Sequence, residues 1–218
     1  SPNMCSLAAF KRLTSVCEPA PTSGLPNRSL IPLQPQHEAD LVSLFLDAFD
    51  DGIDYCGYPD EAFRDAAKKS IHTPADGSYG AFENDRLIGA CVIRSERGHM
   101  MLSPIMVSTS HQRKGTARQL LRENLRSLNS SGIAELCSFC HLGNEASMNW
   151  HLQNGFEEIP TYFATSARRL HHSWMARHFD SIGDREAATE HSRRADEFDA
   201  IMQSIEASGQ QFATDPFG

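Results

Sequence analysis

No stretch of the 218-residue sequence holds the roughly 18 consecutive apolar residues that a bilayer-spanning helix needs, so no membrane segment is expected. Basic residues are in the minority: 20 Lys and Arg against 28 Asp and Glu give a net charge of −8. That balance argues against a general nucleic-acid binder, which needs a broad positive surface, although it leaves room for a local basic loop. Ser1 to Val16 carry Lys11 and Arg12 but no continuous apolar core, so a secretory signal is not expected. Without one, the six cysteines read as reduced thiols of a cytoplasmic protein rather than as a disulfide framework. Cys137 and Cys140 form a C-x-x-C, but within a strand-like run from Ala134 to Leu142. Residues three apart on a strand point to opposite faces, so buried apolar thiols are expected and a shared metal is not. His171, His172 and His178 are loosely spaced and lack cysteine or carboxylate companions, so they also give no metal site.

The chain does have enough apolar residues, 40%, for one packed domain with extensions. Pro19, Pro21, Gly24 and Pro26 in quick succession predict a flexible arm over residues 1–28. Leu30 to Leu33 reads as a short first strand. Gln36 to Phe49 reads as a helix, with Leu41, Val42, Leu44, Phe45 and Ala48 at helical spacing. An acidic segment from Asp47 to Asp60 follows, then a second helix to about His72. Tyr79 to Glu83 and Leu87 to Arg94 form a hairpin around Asn84-Asp85. The fourth strand, His99 to Val107, contains Pro104, which cannot donate to a ladder and so marks a bulge or a departing neighbour. A third helix, the strand Ala134 to Leu142, a fourth helix opening at Asn144 and a strand over Ile159 to Thr165 complete the main body. Ala167, Leu170, Trp174 and His178 lie along one face of a further helix from Ser166 to Phe179. Ala195, Phe198, Ile201, Met202 and Ile205 do the same within Arg185 to Ala207, and Gly209 to Gly218 is expected to be a loose tail.

The most informative stretch is His111-Gln112-Arg113-Lys114-Gly115-Thr116-Ala117, between an apolar strand and an amphipathic helix carrying Leu120, Leu121, Leu125 and Leu128. A turn of this kind aims several backbone N–H groups one way. The helix N-terminus behind it carries partial positive charge, and together they bind phosphate. Gly115 lets the backbone come close, Ala117 does not obstruct, and Arg113 and Lys114 add charge. Gln112, Gly115 and Ala117 fit Q/R-x-x-G-x-G/A. Downstream, Asn144, Ser147, Gly155 and Phe156 fit N-x-x-A/S-x-x-x-Y-x-x-x-G-F, with His151 at the tyrosine position.

In this order and separation the two motifs resemble the GNAT superfamily of acyl-coenzyme A-dependent N-acyltransferases, over roughly residues 29 to 160. The resemblance implies an α/β fold. Its central mixed, mostly antiparallel sheet is splayed between strands 4 and 5 and flanked by helices, in a domain at 29–165; the helical spacing beyond it, and not the resemblance, gives a helical C-terminal extension and tail over residues 166–218. The resemblance implies transfer of an acetyl group from acetyl-CoA to a primary amine of a small molecule or protein, by direct attack in a ternary complex and without a metal. The N–H groups of Gln112, Arg113, Lys114, Gly115, Thr116 and Ala117 would meet the diphosphate. Met106 and Val107 would pair with the pantetheine arm, the oxyanion would form near the Val107 amide, and Asn144 and Ser147 would also hold the cofactor. Asp50, Asp51, Asp54, Tyr55 and Tyr58 would attract and line the amine; a solvated acidic loop is the other reading of that segment. His151 would protonate the departing thiolate, since an imidazolium is a stronger acid than a thiol. The family's glutamate base falls near Met101, which cannot serve. His99, Asp54 and Glu83 are alternatives, and transfer through water is preferred. The C-terminal helices either pack onto the domain or pair with a second subunit in a homodimer. The competing function is an acyl-CoA-binding sensor or interaction module without turnover.

Overall fold

The computed structural model describes residues 7–15, 28–49, 76–96, 98–142 and 144–209. The elements in chain order are β1 (Leu7–Leu13), β2 (Arg28–Pro32), α1 (Glu38–Ala48), β3 (Tyr79–Glu83), β4 (Arg86–Glu96) and β5 (His99–Val107), followed by α2 (Thr116–Ser130), β6 (Glu135–His141), α3 (Glu145–Gln153), β7 (Glu157–Ile159), α4 (Tyr162–Ser181) and α5 (Arg185–Ala207). The strands form a seven-stranded sheet in the order β2-β3-β4-β5-β6-β1-β7. The chain divides into two compact units. One holds Lys11–Phe139 and His151–Glu157; the other holds Cys140–Trp150, the chain from Glu158 onward and the first part of β1.

In the first unit β2, β3, β4 and β5 are antiparallel neighbours. The β3–β4 turn forms as the sequence predicts: Asn84 and Asp85 take φ of 50° and 61°, the left-handed pair that a tight hairpin requires. β4 is buried along most of its length because it carries helices on both faces. Ala90 and Val92 join Leu41, Leu44, Phe45, Phe82 and Met106 in one core beneath α1. The other face carries α2, whose Leu120, Leu121, Leu125 and Leu128 are all buried. Each of these leucines contributes about 1.5–3 kcal/mol on burial. Gly89 allows this packing: an added Cβ there would stand 3.1 Å from Thr116 Cγ2 and 3.2 Å from Leu120 Cδ1. Asn124, the polar member of the α2 seam, donates from Nδ2 to the Cys91 carbonyl at 3.3 Å.

Two features of β5 bear on function. First, Cys91 pairs with Ile105 and Ile93 with Leu102, so β5 spends one residue more than β4 over the same span. The extra residue lies at Ser103-Pro104, where the proline calls for it. Second, β6 pairs parallel to β5 only through Met101↔Cys137 and Leu102↔Ser138. Beyond Leu102, among the described residues, β5 runs on to Val107 in register with β4 alone. The sheet is therefore mixed and parts between β5 and β6, as the resemblance implies.

In the second unit α4 and α5 form an antiparallel hairpin: Tyr162 Oη at the start of α4 donates to Glu206 Oε1 at the end of α5, 3.0 Å away. Ala164, Thr165, Ala176, Ala188, Ala195 and Met202 are its buried residues. Asp184 caps α5 by accepting from the Ala187 N–H.

Two expectations are corrected. The region read as a flexible arm contains β1, in which Ala8, Ala9 and Phe10 are fully buried, and Thr14 N–H after it donates to the Ala134 carbonyl at 3.0 Å. The strand expected over Ile159 to Thr165 ends at Ile159. Thr161 Oγ1 accepts from the Ala164 N–H and starts α4 instead. On α4, Leu170 is 57% and Trp174 56% exposed. The expected second helix and the tail beyond Gly209 lie outside the described residues.

Candidate active site

The centre of the site is the turn from β5 into α2. Ser108 closes β5 by donating its N–H to the Ile88 carbonyl at 2.9 Å, and a short helical turn follows at Thr109–His111. Gly115 is the N-cap of α2 with φ 79° and ψ 0°, and no side chain caps the helix there. An added Cβ at Gly115 would meet nothing within 4 Å, so glycine is required by its backbone angle and not by crowding. The first bond back into the helix runs from Gln119 N–H to the Gly115 carbonyl at 3.1 Å. The N–H groups of the preceding first turn therefore point out of the helix end, together with its partial positive charge. The sequence reading expects its anion seat at this helix end.

The other turn residues brace this seat. Gln112 Nε2 donates to the Val107 carbonyl at 3.1 Å, and Lys114 Nζ donates to the Ser110 carbonyl at 2.9 Å. Thr109 is tied to the end of α1, its N–H donating to Asp47 Oδ2 at 3.0 Å. Arg113 has φ 59°, a left-handed angle unusual for a side-chain-bearing residue. The buried Met106 and half-buried Val107 lie on the β5 segment beyond the β6 pairing. The structure thus brings Met106, Val107 and Gln112 through Ala117 into one unit, at the strand edge that has lost its neighbour.

Asn144 and Ser147 belong to the other unit. Asn144 Oδ1 accepts from the Ser147 N–H at 3.0 Å, which is the cap of α3. His151, on the last turn of α3, is only 2% exposed. Its Nε2 lies 2.8 Å from Ser138 Oγ, and its ring meets Phe156 edge-on at 5.0 Å between centroids. Ser138 is the partner of Leu102, the last residue pair before β5 and β6 part. The histidine is therefore anchored at the root of the opening through a hydroxyl that the sequence alone does not associate with it. Asp50, Asp51, Asp54, Tyr55 and Tyr58 lie outside the described residues. Among the other base candidates, Glu83 is paired to Arg28 and His111. Arg28 first, and then His111, hold its carboxyl below the usual carboxylate range, which makes it a weak proton acceptor. Cys137 and Cys140 are buried thiols as expected, with burial pushing Cys140 up to about 11. Among the described residues no group of three or more His, Cys, Asp or Glu is placed to hold a metal ion. None of their helices is long and apolar enough to cross a membrane.

A mixed sheet that parts along one strand, with a glycine-capped helix end at the finish of that strand, is the α/β architecture of this chain. Residues 39–156 match the family model described as the acetyltransferase (GNAT) family, and the chain belongs to that family. No curated relative matches it in sequence. Solved structures similar to it include the PaiA N-acetyltransferase of Thermoplasma acidophilum in complex with coenzyme A, at 18% identity over 60% of this chain and 89% of that one, with a TM-score of 0.51. The ribosomal-protein-S18-alanine N-acetyltransferase of Escherichia coli is similar at 17% identity over 60% of this chain and 77% of that one, TM-score 0.48. The aminoglycoside N-acetyltransferase AAC(6')-Iy in complex with CoA gives 20% identity over 62% of this chain and 92% of that one, TM-score 0.46.

Proposed function

We propose that the protein transfers an acetyl group from acetyl-CoA to a primary amine of a small molecule or a protein, by direct attack in a ternary complex. The observation that carries this reading is the conjunction of the β5 edge that, among the described residues, has no partner beyond Leu102 with the uncapped, positively polarised start of α2. The amide-rich pantetheine arm pairs with the edge at Met106 and Val107 as an added strand would, and the diphosphate takes the N–H groups of Gln112 to Ala117. The amine nitrogen attacks the thioester carbonyl, the C–S bond breaks, and the ammonium proton leaves through water. The departing thiolate takes a proton from the His151–Ser138 pair, with the Ser138 hydroxyl as the relay from the buried ring. Residues 50 to 58 attract the cationic acceptor.

The test is release of free thiol from acetyl-CoA across a panel of amines, beside calorimetric binding of coenzyme A. Thiol release with at least one amine is expected. His151→Ala and Ser138→Ala should each lower kcat by about 10²-fold while leaving coenzyme A affinity within a few-fold. Binding without release for any amine would replace this reading with the acyl-CoA sensor. Unchanged turnover in His151→Ala would remove that residue from the mechanism.

A further inference from the structure

The turn contains two left-handed residues, and one of them, Arg113 at φ 59°, has a side chain. Such angles persist only where the surroundings over-determine them. The surroundings here include an unbroken chain of side chains from one end of the turn to the other. Ser108 Oγ and Ser110 Oγ lie 2.7 and 2.8 Å from His111 Nδ1. His111 Nε2 donates to Glu83 Oε2 at 3.0 Å, because a carboxylate can only accept. Arg28 Nε donates to the other oxygen, Glu83 Oε1, at 3.0 Å. Arg28 Nη1 then donates to Thr116 Oγ1 at 3.1 Å. His111 enters the turn, Thr116 leaves it, and the path between them runs through β3 and β2. Thr116 is buried, and the Arg28 side chain is 10% exposed, so the far end of this chain is shielded from water.

We infer that Glu83 and Arg28, neither of which belongs to the motif, are positioning residues for coenzyme A: they fix the separation of His111 and Thr116 and so hold the intervening N–H groups on the diphosphate. The inference rests on the proposed function for the identity of the ligand, but not for the existence of the tie. One carboxylate serves both halves, each oxygen taking one partner, so its loss frees both ends at once. Arg28 also brings a fixed positive charge to the start of α2, in addition to Arg113 and Lys114 on the turn.

Two variants test it in the full-length protein, Glu83→Gln and Thr116→Val, with their double mutant. Glutamine keeps the shape of glutamate without the charge, and valine keeps the shape of threonine without the hydroxyl. Hydrogen exchange of the ligand-free proteins reads the tie directly. Each variant should speed exchange in the peptide spanning residues 108–119 by about fivefold and leave the α4–α5 hairpin unchanged. Calorimetry with coenzyme A should show each single variant weakened about fivefold, and the double mutant no weaker than the weaker single, since both break one chain. Unchanged exchange across 108–119, or effects that multiply in the double mutant, would overturn the tie. Faster exchange in the variants, with a wild-type protein that does not bind coenzyme A, would keep the tie and sink the ligand. Exchange that rises throughout the protein would assign Glu83 a general structural role and overturn the positioning one.

Discussion

Gly115→Ala and Gly132→Ala form a matched pair at the two ends of α2. Gly115 has φ 79° and Gly132 φ 77°, and an added Cβ would meet nothing within 4 Å at either position. Both substitutions therefore carry the same penalty, an L-residue held in the left-handed region, of about 1–2 kcal/mol. Neither adds a collision. For a protein of this size each kcal/mol lowers the melting midpoint by about 2–4 °C, so both variants should melt roughly 2–8 °C below the wild type. Their binding should differ. Gly132 follows the C-terminus of α2, its N–H donating to the Asn129 carbonyl, at the opposite end of the helix from the proposed diphosphate seat. Gly115 sits within that seat, and relief of its strain rotates the N–H groups on either side. Coenzyme A affinity is expected to fall about tenfold in Gly115→Ala, the equivalent of one charge-assisted hydrogen bond, and to stay within twofold in Gly132→Ala. Differential scanning calorimetry and isothermal titration measure the two quantities separately. Equal loss of affinity in both variants would show that the turn has no privileged contact with the ligand. No loss of stability in either would refute the backbone argument itself.

Two further outcomes follow from the packing. Gly89→Ala should destabilise the protein by about 1–3 kcal/mol in urea titrations and also weaken coenzyme A binding. Its new methyl presses on Thr116 Cγ2 and Leu120 Cδ1 and pushes the start of α2 off β4; a fully stable variant would show that the seam has slack. In the α4–α5 hairpin, His172 Nδ1 lies 2.8 Å from His191 Nδ1. Burial first, and then the positive neighbours His191, His171, Arg194 and Arg168, hold His172 below its ordinary value of 6.5. A lowered folded pKa means that protonation favours the unfolded chain. The contribution is whole above pH 6.5 and is lost as pH falls through the folded value. The melting midpoint should therefore decline below pH 6.5, and less steeply in His172→Gln; parallel curves would discard the pair as the source.

Several parts of the fold could be read from the residues because local chemistry decides them. Asn84-Asp85 fixes its turn, Pro104 forces its bulge, and the helix expected from Arg185 to Ala207 has those bounds. The left-handed cap at Gly115 and the helix after it were equally legible, since they are adjacent in sequence. β1 was not, for Leu7 to Leu13 is a short apolar run with no telling period, and the prolines that follow dominate the region. The partners of His151 and Glu83 could not be read at all. Ser138, Arg28, His111 and Thr116 come from separate elements, and only tertiary structure places them within reach.

The placement of β1 also has a consequence for how the molecule is made. Its strand neighbours are β6 and β7, and the hydroxyl of Thr14 just after it bonds the Ile133 carbonyl, 119 positions away along the chain. During synthesis this segment emerges early and must wait for the rest of the sheet. Closing so long a loop is slow, and until it closes β6 and β7 present bare rims. In that interval a β1 segment from another copy could take the same berth, so crowded ribosomes or rapid refolding at high concentration should favour strand-exchanged species.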